Sequence, residues 1–481
     1  MIIYYSCFIF FHLLKLLWDR GVDMKYDVGI IGCGPAGIFS ALELLKNNPD
    51  TKIIMIDKGN SIKTRACPKK KTIKCVECKP CNISCGWGGA GAFSDGKLSL
   101  SKDVGGWLED YIGDEINDMI KYVDNIYLDY GGTPHVEYNS EFADKIEYEC
   151  SKHGLKFIKC PVRHLGTEKS AIIMEKMFDY IVEHKNVEVL THLDVEDVEI
   201  NDLEKTIITK KGKYTCDKLI FSVGRSGAGW LNELCGKLNI PSTNNQVDIG
   251  VRVELPRSIT DFLTNELYEF KIYNTSKTTE NKVRTFCMNP GGFVSQENYD
   301  DNLACVNGHS FKDKKSNLTN FALLVSANFT EPFKEPTKYG KYIARLSNML
   351  TGGKIMVQRL CDLKEGKRST EKRIGKLSYE PTLKDAVPGD LSYALPGRII
   401  NALIETFEEL EKICPGISGK DTILYGVEVK FYSSKIKVNN NLETDIDGVY
   451  AIGDGAGITR GLMQASISGV IAARDIIKKT K

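Results

Sequence analysis

Asp27-Val28-Gly29-Ile30-Ile31-Gly32-Cys33-Gly34-Pro35-Ala36-Gly37, followed about twenty residues on by Ile53-Ile54-Met55-Ile56-Asp57, decides the fold. The apolar run Val28 to Ile31 reads as a strand that enters a turn too tight for a side chain at Gly32. Gly34 must also be bare for the backbone to approach a pyrophosphate, and Gly37 lets the next helix, predicted over Ala36 to Asn47, pack closely on the strand. The helix N-terminus offers unpaired N–H groups and partial positive charge to phosphates. Asp57 ends the second strand, where a carboxylate accepts hydrogen bonds from ribose hydroxyls. Strand, glycine turn, helix and distal acid together predict a dinucleotide cradle.

The far end of the chain selects the dinucleotide. Asp447-Gly448-Val449-Tyr450-Ala451-Ile452-Gly453-Asp454-Gly455 reads as a short buried strand stopping at Gly-Asp, then Gly457 and a helix predicted from about Leu462 to Lys478. Leu462, Met463, Ile467, Val470, Ile471 and Ile477 recur at helical spacing, and Lys478, Lys479 and Lys481 stand at the end that favours cations. A carboxylate at that strand end accepts from a ribityl hydroxyl, and a helix start favours negative charge on a reduced flavin ring. Between the two corners lies Lys218-Leu219-Ile220-Phe221-Ser222-Val223-Gly224-Arg225, another apolar strand ending in glycine.

These three segments, in this order, resemble the FAD-binding fold shared by glutathione-reductase-like and fumarate-reductase-like flavoproteins. Gly88-Gly89-Ala90-Gly91-Ala92-Phe93-Ser94-Asp95-Gly96-Lys97-Leu98 brings the likeness closest to a group known as uncharacterised FAD-dependent dehydrogenases. The resemblance runs from Met24 to the C-terminus and implies FAD and an oxidoreductase, with no substrate attached. It implies an α/β fold: a discontinuous Rossmann-like FAD-binding domain with an inserted mixed α+β substrate domain. The candidate cofactor-binding residues are Gly32, Gly34, Pro35, Ala36, Gly37, Asp57, Lys58, Gly88, Gly89, Ala90, Gly91, Val195, Gly224, Gly453, Asp454, Gly461 and Leu462. His164-Leu165-Gly166-Thr167 also resembles a family motif near the cofactor.

Five of the fifteen cysteines fall in one short stretch as Cys67-x7-Cys75-x2-Cys78-x2-Cys81-x3-Cys85. The last four have the spacing that lets consecutive thiolates wrap an iron–sulfur cluster, although Gly86 stands where such motifs often carry proline. One cluster needs four ligands, so either Cys75, Cys78, Cys81 and Cys85 bind, or Cys67 replaces Cys85; the family resemblance favours the Cys67 set. Zinc is the alternative metal, closed tetrahedrally by four thiolates. Disulfides are a third option, disfavoured if the compartment is reducing. Lys69, Lys70, Lys71, Lys74 and Lys79 flank the site and would offset thiolate charge or dock an acidic electron carrier. The glycine loop after the cysteines has too little side chain to build a core and reads as backbone approaching something flat or charged.

With 481 residues, 42% of them hydrophobic, the chain buries a sizeable core and divides into two domains. A net charge of +1 gives no global bias toward nucleic acid or membrane. Met1 to Trp18 is apolar but interrupted by His12 and Lys15, short for a span, and lacks the flanks of a signal peptide. The reading places the translation start at Met24, leaves 1–23 outside the fold, and expects a cytoplasmic protein. It assigns 24–244 to the first part of the FAD-binding domain, with the Cys-rich loop 67–85, 245–434 to the substrate domain, and 435–481 to the second part. Helices are predicted over Trp107 to Leu128, Glu141 to His153, Ser170 to Glu183 with Thr167 as N-cap, Lys338 to Leu350 and Arg398 to Ile413. Strands are predicted over Val187 to Leu190, Val195 to Ile200, Thr206 to Thr209, Ile249 to Glu254, Phe321 to Phe329 and Ile423 to Phe431.

Arg252, His309, Arg359, Lys384, Asp385 and Lys430 stand in or beside apolar runs of the second domain, where they could orient an anion or donate a proton. Tyr379 to Leu391 reads as an ordered, proline-bearing loop or lid. The sequence identifies no catalytic residue. No Ser-His-Asp or metal-hydrolase spacing occurs, which argues against hydrolysis. No second G-x-G-x-x-G follows a strand, so electrons would come from a ferredoxin-like partner or directly from a small-molecule substrate. The expectation is an FAD-dependent dehydrogenase or reductase, with a prenyl-chain or enoyl reductase and a non-turnover redox sensor as rivals.

Overall fold

The computed structural model describes residues 25–68, 76, 78–94, 96–201, 204–299, 303–310, 314–330, 332–333 and 335–480. The N-terminal extension, Cys75, Lys69 to Lys71, Lys74 and Asp95 lie outside them. Two sheets organise the chain.

The first is a parallel sheet in the order 187–191, 53–57, 25–31, 212–221, with Val449–Ala451 added beside the C-terminal half of 212–221. On the same side, the N-terminal half of Gly212–Phe221 carries an antiparallel extension of Lys205–Thr209 and Val195–Ile200. Its central strands are apolar on both faces, as expected of strands covered by helices on both sides. Pro35–Asn47 is buried all round from Ala36 to Leu45, and Leu462–Thr480 packs across it. Gly469 makes that crossing: a Cβ there would meet Ala36 O at 2.1 Å, and Ser40 Oγ donates to Gly469 O at 3.1 Å. The two ends of the chain are thereby fastened to each other. Glu43, buried beneath the crossing, accepts from Arg474 Nε at 2.8 Å and Tyr122 OH at 2.5 Å.

The second sheet is largely antiparallel, centred on Val247–Pro256 between Leu318–Ala327 and Ile423–Lys430. Val247, Ile249, Val251, Val253 and Leu255 face an apolar core shared with Leu403, Phe407 and Leu410 of the Gly397–Ile413 helix. The alternate residues Asp248, Arg252 and Glu254 are also fully buried, so this sheet has a polar inner face. The hairpin Phe293–Tyr299 and Leu303–His309 covers part of it: a Cβ on Gly308 would lie 1.8 Å from Arg252 Nη2.

Residues 140–158, which the sequence reading groups with the first domain, instead join the second sheet. Lys156–Ile158 pairs with Lys271–Thr275, and Ala143, Ile146 and Cys150 of the Ser140–Lys152 helix enter the second core. The helix expected over 107–128 is divided into Glu109–Ile112, a turn at 113–115 and Ile116–Asp129, because Gly113 takes φ +56°. The helix at Thr167–Val182 is N-capped by Gly166 rather than Thr167. Beyond that excursion through 140–158, the chain crosses between sheets at 242–246 and 431–436. Ser242–Thr243 pairs with Lys435–Ile436, and Asn245 Nδ2 donates to Ser433 O (2.9 Å) and Gly457 O (3.2 Å).

Candidate functional site

The C-terminal ends of the parallel strands converge on the glycine turn. Gly32 takes φ +104°, and a Cβ there would lie 2.6 Å from Ser222 O; one on Gly37 would lie 2.2 Å from Gly32 O. Gly34 differs, since the nearest atom to a Cβ built on it is Gly89 Cα at 4.0 Å. Gly34 and Gly89 thus meet backbone to backbone, a Cβ on Gly89 reaching Gly34 Cα at 3.2 Å, and neither puts a side chain over the corner beside them. The Pro35–Asn47 helix has no side-chain cap, so its N-terminal end is left open at this bare corner.

Asp57 braces the turn. Its Oδ2 accepts from Cys33 N and its Oδ1 from Gly59 N, both at 2.8 Å, leaving one lone-pair direction on each oxygen for a ribose. His192 N donates to Gly59 O and Leu193 N to Asp57 O, which brings the chain entering Val195 against this strand end. Gly88 to Gly91 form a short helical turn pinned by Gly88 N to Cys33 O (2.7 Å) and Ser170 Oγ to Gly91 O (3.0 Å). Leu462 Cδ2 and Pro35 Cγ flank Gly91. Gly453 stands 3.1 Å, Cβ position to Cβ, from Ala36, and Gly455 lies on Val223 O beside Gly224. The chain therefore gathers the expected cofactor positions into one region, and Asp454 sits at its edge. Asp454 Oδ1 accepts from Thr459 Oγ1 (2.8 Å) and Gly461 N (3.3 Å); burial pushes its pKa up, against the pull of Arg225. Lys58 turns its ammonium to Ser226 O at 3.1 Å.

Two facing glycine backbones, an uncapped helix start and two strand-end carboxylates fit FAD. The glycines and the helix start would hold its pyrophosphate, Asp57 its ribose and Asp454 its ribityl chain.

The cysteine loop lies against the same strand end. Trp87 N donates to Asn60 O, and a Cβ on Gly59 would meet Gly86 N at 2.3 Å. Arg65, which the sequence reading overlooked, builds this loop: its buried guanidinium donates to Asn82 O, Ile83 O and Trp87 O. Burial lowers the Arg65 pKa to about 10. Cys85 is buried with its thiol on Ser226 Oγ at 3.3 Å, while Cys81 is exposed and Cys67 and Cys78 are half-buried. Among the described residues, no three metal-ligating side chains come within reach of one ion; Cys75 is not among them.

Of the polar candidates in the second domain, most are occupied. Arg252 binds Glu428, Asn320 Oδ1 and Cys287 O, and Lys430 also pairs with Glu428 at 3.0 Å. Lys384 forms an exposed pair with Glu380, Asp385 is exposed, and Arg359 reaches Lys420 O at 3.4 Å. His309 pairs with Phe293 in the covering hairpin. The 379–391 loop is tied down: Tyr379 OH donates to Asp421 O at 2.8 Å, and Thr382 N to Glu254 Oε1 at 3.1 Å.

A different set lines a small cleft beside the crossings between the sheets: Trp107, Arg225, Asn245, Tyr432, Asp454 and Arg460 with their neighbours. Asp248, at the start of the central strand, accepts from Arg284 Nη2 (2.7 Å), Ser326 Oγ (2.8 Å) and Tyr432 OH. Burial pushes the Asp248 pKa up, but Arg284 and Tyr432 outweigh it and hold the group below the ordinary carboxylate range. Arg460 and Tyr432 carry no periodic or motif signal. Only their placement beside Gly461 and at the second interdomain crossing could have flagged them.

Residues 246–431 match the family model described as "FAD-dependent protein, C-terminal domain-like". An uncharacterised protein of Clostridium beijerinckii is 26% identical, the match covering 95% of this chain and 82% of that one. Solved structures with overall likeness include an E. coli quinol fumarate reductase (12% identical, covering 95% of this chain and 70% of that one, TM-score 0.39). A glycine oxidase from Geobacillus kaustophilus (9%, 94% and 95%, 0.38) and an L-proline dehydrogenase from P. horikoshii (12%, 96% and 95%, 0.38) are similar to the same degree. No described helix is long and apolar enough to cross a membrane. Residues 246–431, which supply most of the second sheet, thus resemble the C-terminal domain of FAD-dependent proteins, and they are set into a Rossmann-like frame.

Proposed function

We propose that this protein is an FAD-dependent oxidoreductase, a dehydrogenase or reductase of a small molecule taken up between the two sheets. The bare glycine corner where Gly34 meets Gly89, at the mouth of an uncapped helix and between Asp57 and Asp454, carries the reading. Bound FAD would supply hydride or single-electron chemistry. Gly32, Gly34, Pro35, Ala36 and Gly37 hold the pyrophosphate, Asp57 the ribose and Asp454 the ribityl chain. Gly88 to Gly91, Val195, Gly224, Gly461 and Leu462 line the remaining length, with Lys58 at the rim. The second sheet closes the cleft and sets its polarity.

A prenyl-chain or enoyl reductase needs an apolar tunnel, whereas Arg225, Asn245, Asp454 and Arg460 set charged and polar groups around this cleft. Electrons come from the substrate itself or from a ferredoxin-like carrier, and the lysines around the cysteine stretch would suit an acidic partner. The cysteines keep their reading as an iron–sulfur or zinc site on spacing alone. Iron, sulfide and zinc analysis after anaerobic purification tests it, and a chain carrying zinc without iron removes the electron relay.

The experiment for the main reading is anaerobic reduction of the purified yellow protein followed by reoxidation with candidate acceptors. Turnover faster than free FAD is the expected result. A flavin that reduces with dithionite but turns nothing over leaves a redox sensor instead.

A further inference from the structure

We propose that the cleft between the sheets takes a substrate bearing a carboxylate, and that the Arg460 guanidinium is the group that binds it; this rests on the oxidoreductase reading and gives its substrate class. Arg460 leaves the Asp454 turn just before the last helix. Its guanidinium carbon stands 4.0 Å from the centre of the Trp107 ring and 3.2 Å from that of Tyr432, so the two aromatic faces fix the plane of the group. Its Nε and Nη2 are buried without a hydrogen-bond partner. Those two nitrogens form one edge of the guanidinium, with parallel N–H bonds spaced to meet both oxygens of a carboxylate.

The neighbouring acids are already engaged. Asp248 accepts from Arg284, Ser326, Gln246 (3.1 Å) and Tyr432. Asp454 is turned to Thr459 and Gly461. Arg225, Arg284 and Arg460 set against Asp248 and Asp454 leave one positive charge over in and around the cleft. A buried cation with an open donor edge is costly until an anion meets it, and a monoanionic carboxylate supplies both the charge and the two acceptors. Tyr432 is a positioning residue: its hydroxyl donates to Asp248 and accepts from Arg284 Nη2 (3.0 Å), which holds its ring under Arg460.

The test titrates the FAD-loaded protein with benzoate and with succinate, following the flavin band and the heat of binding. Benzamide serves as the uncharged isostere and inorganic phosphate as the other oxyanion. A carboxylate is expected to bind at least about tenfold more tightly than benzamide or phosphate, and Arg460→Gln to lose at least about tenfold of that affinity while keeping its flavin spectrum. Should Arg460→Gln fail to fold, Arg460→Lys, which keeps the charge but not the two-pronged edge, carries the same expectation. Equal affinity for benzoate and benzamide, tighter binding of phosphate, or an unchanged carboxylate affinity in the Arg460 variant overturns the proposal. A shift in flavin potential with unaltered anion affinity would place Arg460 with the cofactor and likewise overturns it. Colourless protein speaks against the cofactor reading instead, and the calorimetric arm then still reads the anion site.

Discussion

The two sheets bury their polar atoms in opposite ways. Around the parallel sheet, the critical positions lack side chains: Gly32, Gly37 and Gly469 sit where a Cβ would collide with backbone, and Gly34 sits where it would not. In the second sheet the critical positions carry charge, with Asp248, Arg252, Glu254 and Glu428 all buried on one face. One region makes room for a ligand by omission; the other prepares a polar wall by pairing. The comparison teaches that tight packing and open space at glycine are separable, and so are charges that are paired and those that await a partner.

Gly37→Ala should have the largest effect, because its methyl would meet Gly32 O at 2.2 Å and Ser222 Oγ at 2.7 Å. A loss of about 4 kcal/mol or more is expected in denaturant melts, together with loss of bound FAD. Glu428→Gln comes next, since it leaves Arg252 and Lys430 without their shared carboxylate. It should cost about 3 kcal/mol yet leave FAD affinity intact in the folded fraction. Gly34→Val should invert that pattern, with a melt of the FAD-free protein lowered by only about 1 kcal/mol, the cost of a poor N-cap, and FAD affinity lowered by a large factor. If Gly34→Val keeps its flavin, the bare corner at Gly34 and Gly89 is not the pyrophosphate site.

The smallest effects concern pH, and they have opposite signs on one strand. Burial raises the Glu254 pKa despite hydrogen bonds from Thr382 and Tyr425. Its contribution is therefore full below the unfolded value of about 4.3 and is lost as pH rises through the raised native value. Asp248 is depressed, so its contribution is present above about 3.9 and is lost as pH falls through the lower native value. Urea melts over about pH 3 to 8 should show Glu254→Gln flattening the upper part of the profile and Asp248→Asn the acid part. The same slope in both variants would mean that the two carboxylates are not held as different environments.

The first sheet was legible in the sequence because its constraints are local. Strand, bare turn and helix follow one another within Asp27 to Asn47, and the Gly453-Asp454 corner repeats that logic. The second sheet was legible only in its long apolar strands. Lys271–Thr275, Lys282–Pro290 and the 293–309 hairpin were missed, because their polar alternate residues are buried by partners distant in sequence. Arg252 and Lys430 drew attention as charges in apolar runs, and both prove to be satisfied pairs. Arg460 drew none, although its buried edge is unpaired, because satisfaction is a property of the fold and has no sequence pattern. Arg65 escaped for the same reason: the carbonyls it holds belong to a loop some twenty residues on.

The most direct measurement is the visible spectrum of the purified protein, followed by heat release and identification of what is freed. A yellow protein releasing about one FAD per chain, and losing it in Gly34→Val, is the predicted result. Material that is colourless and stays so after incubation with free FAD would contradict the account.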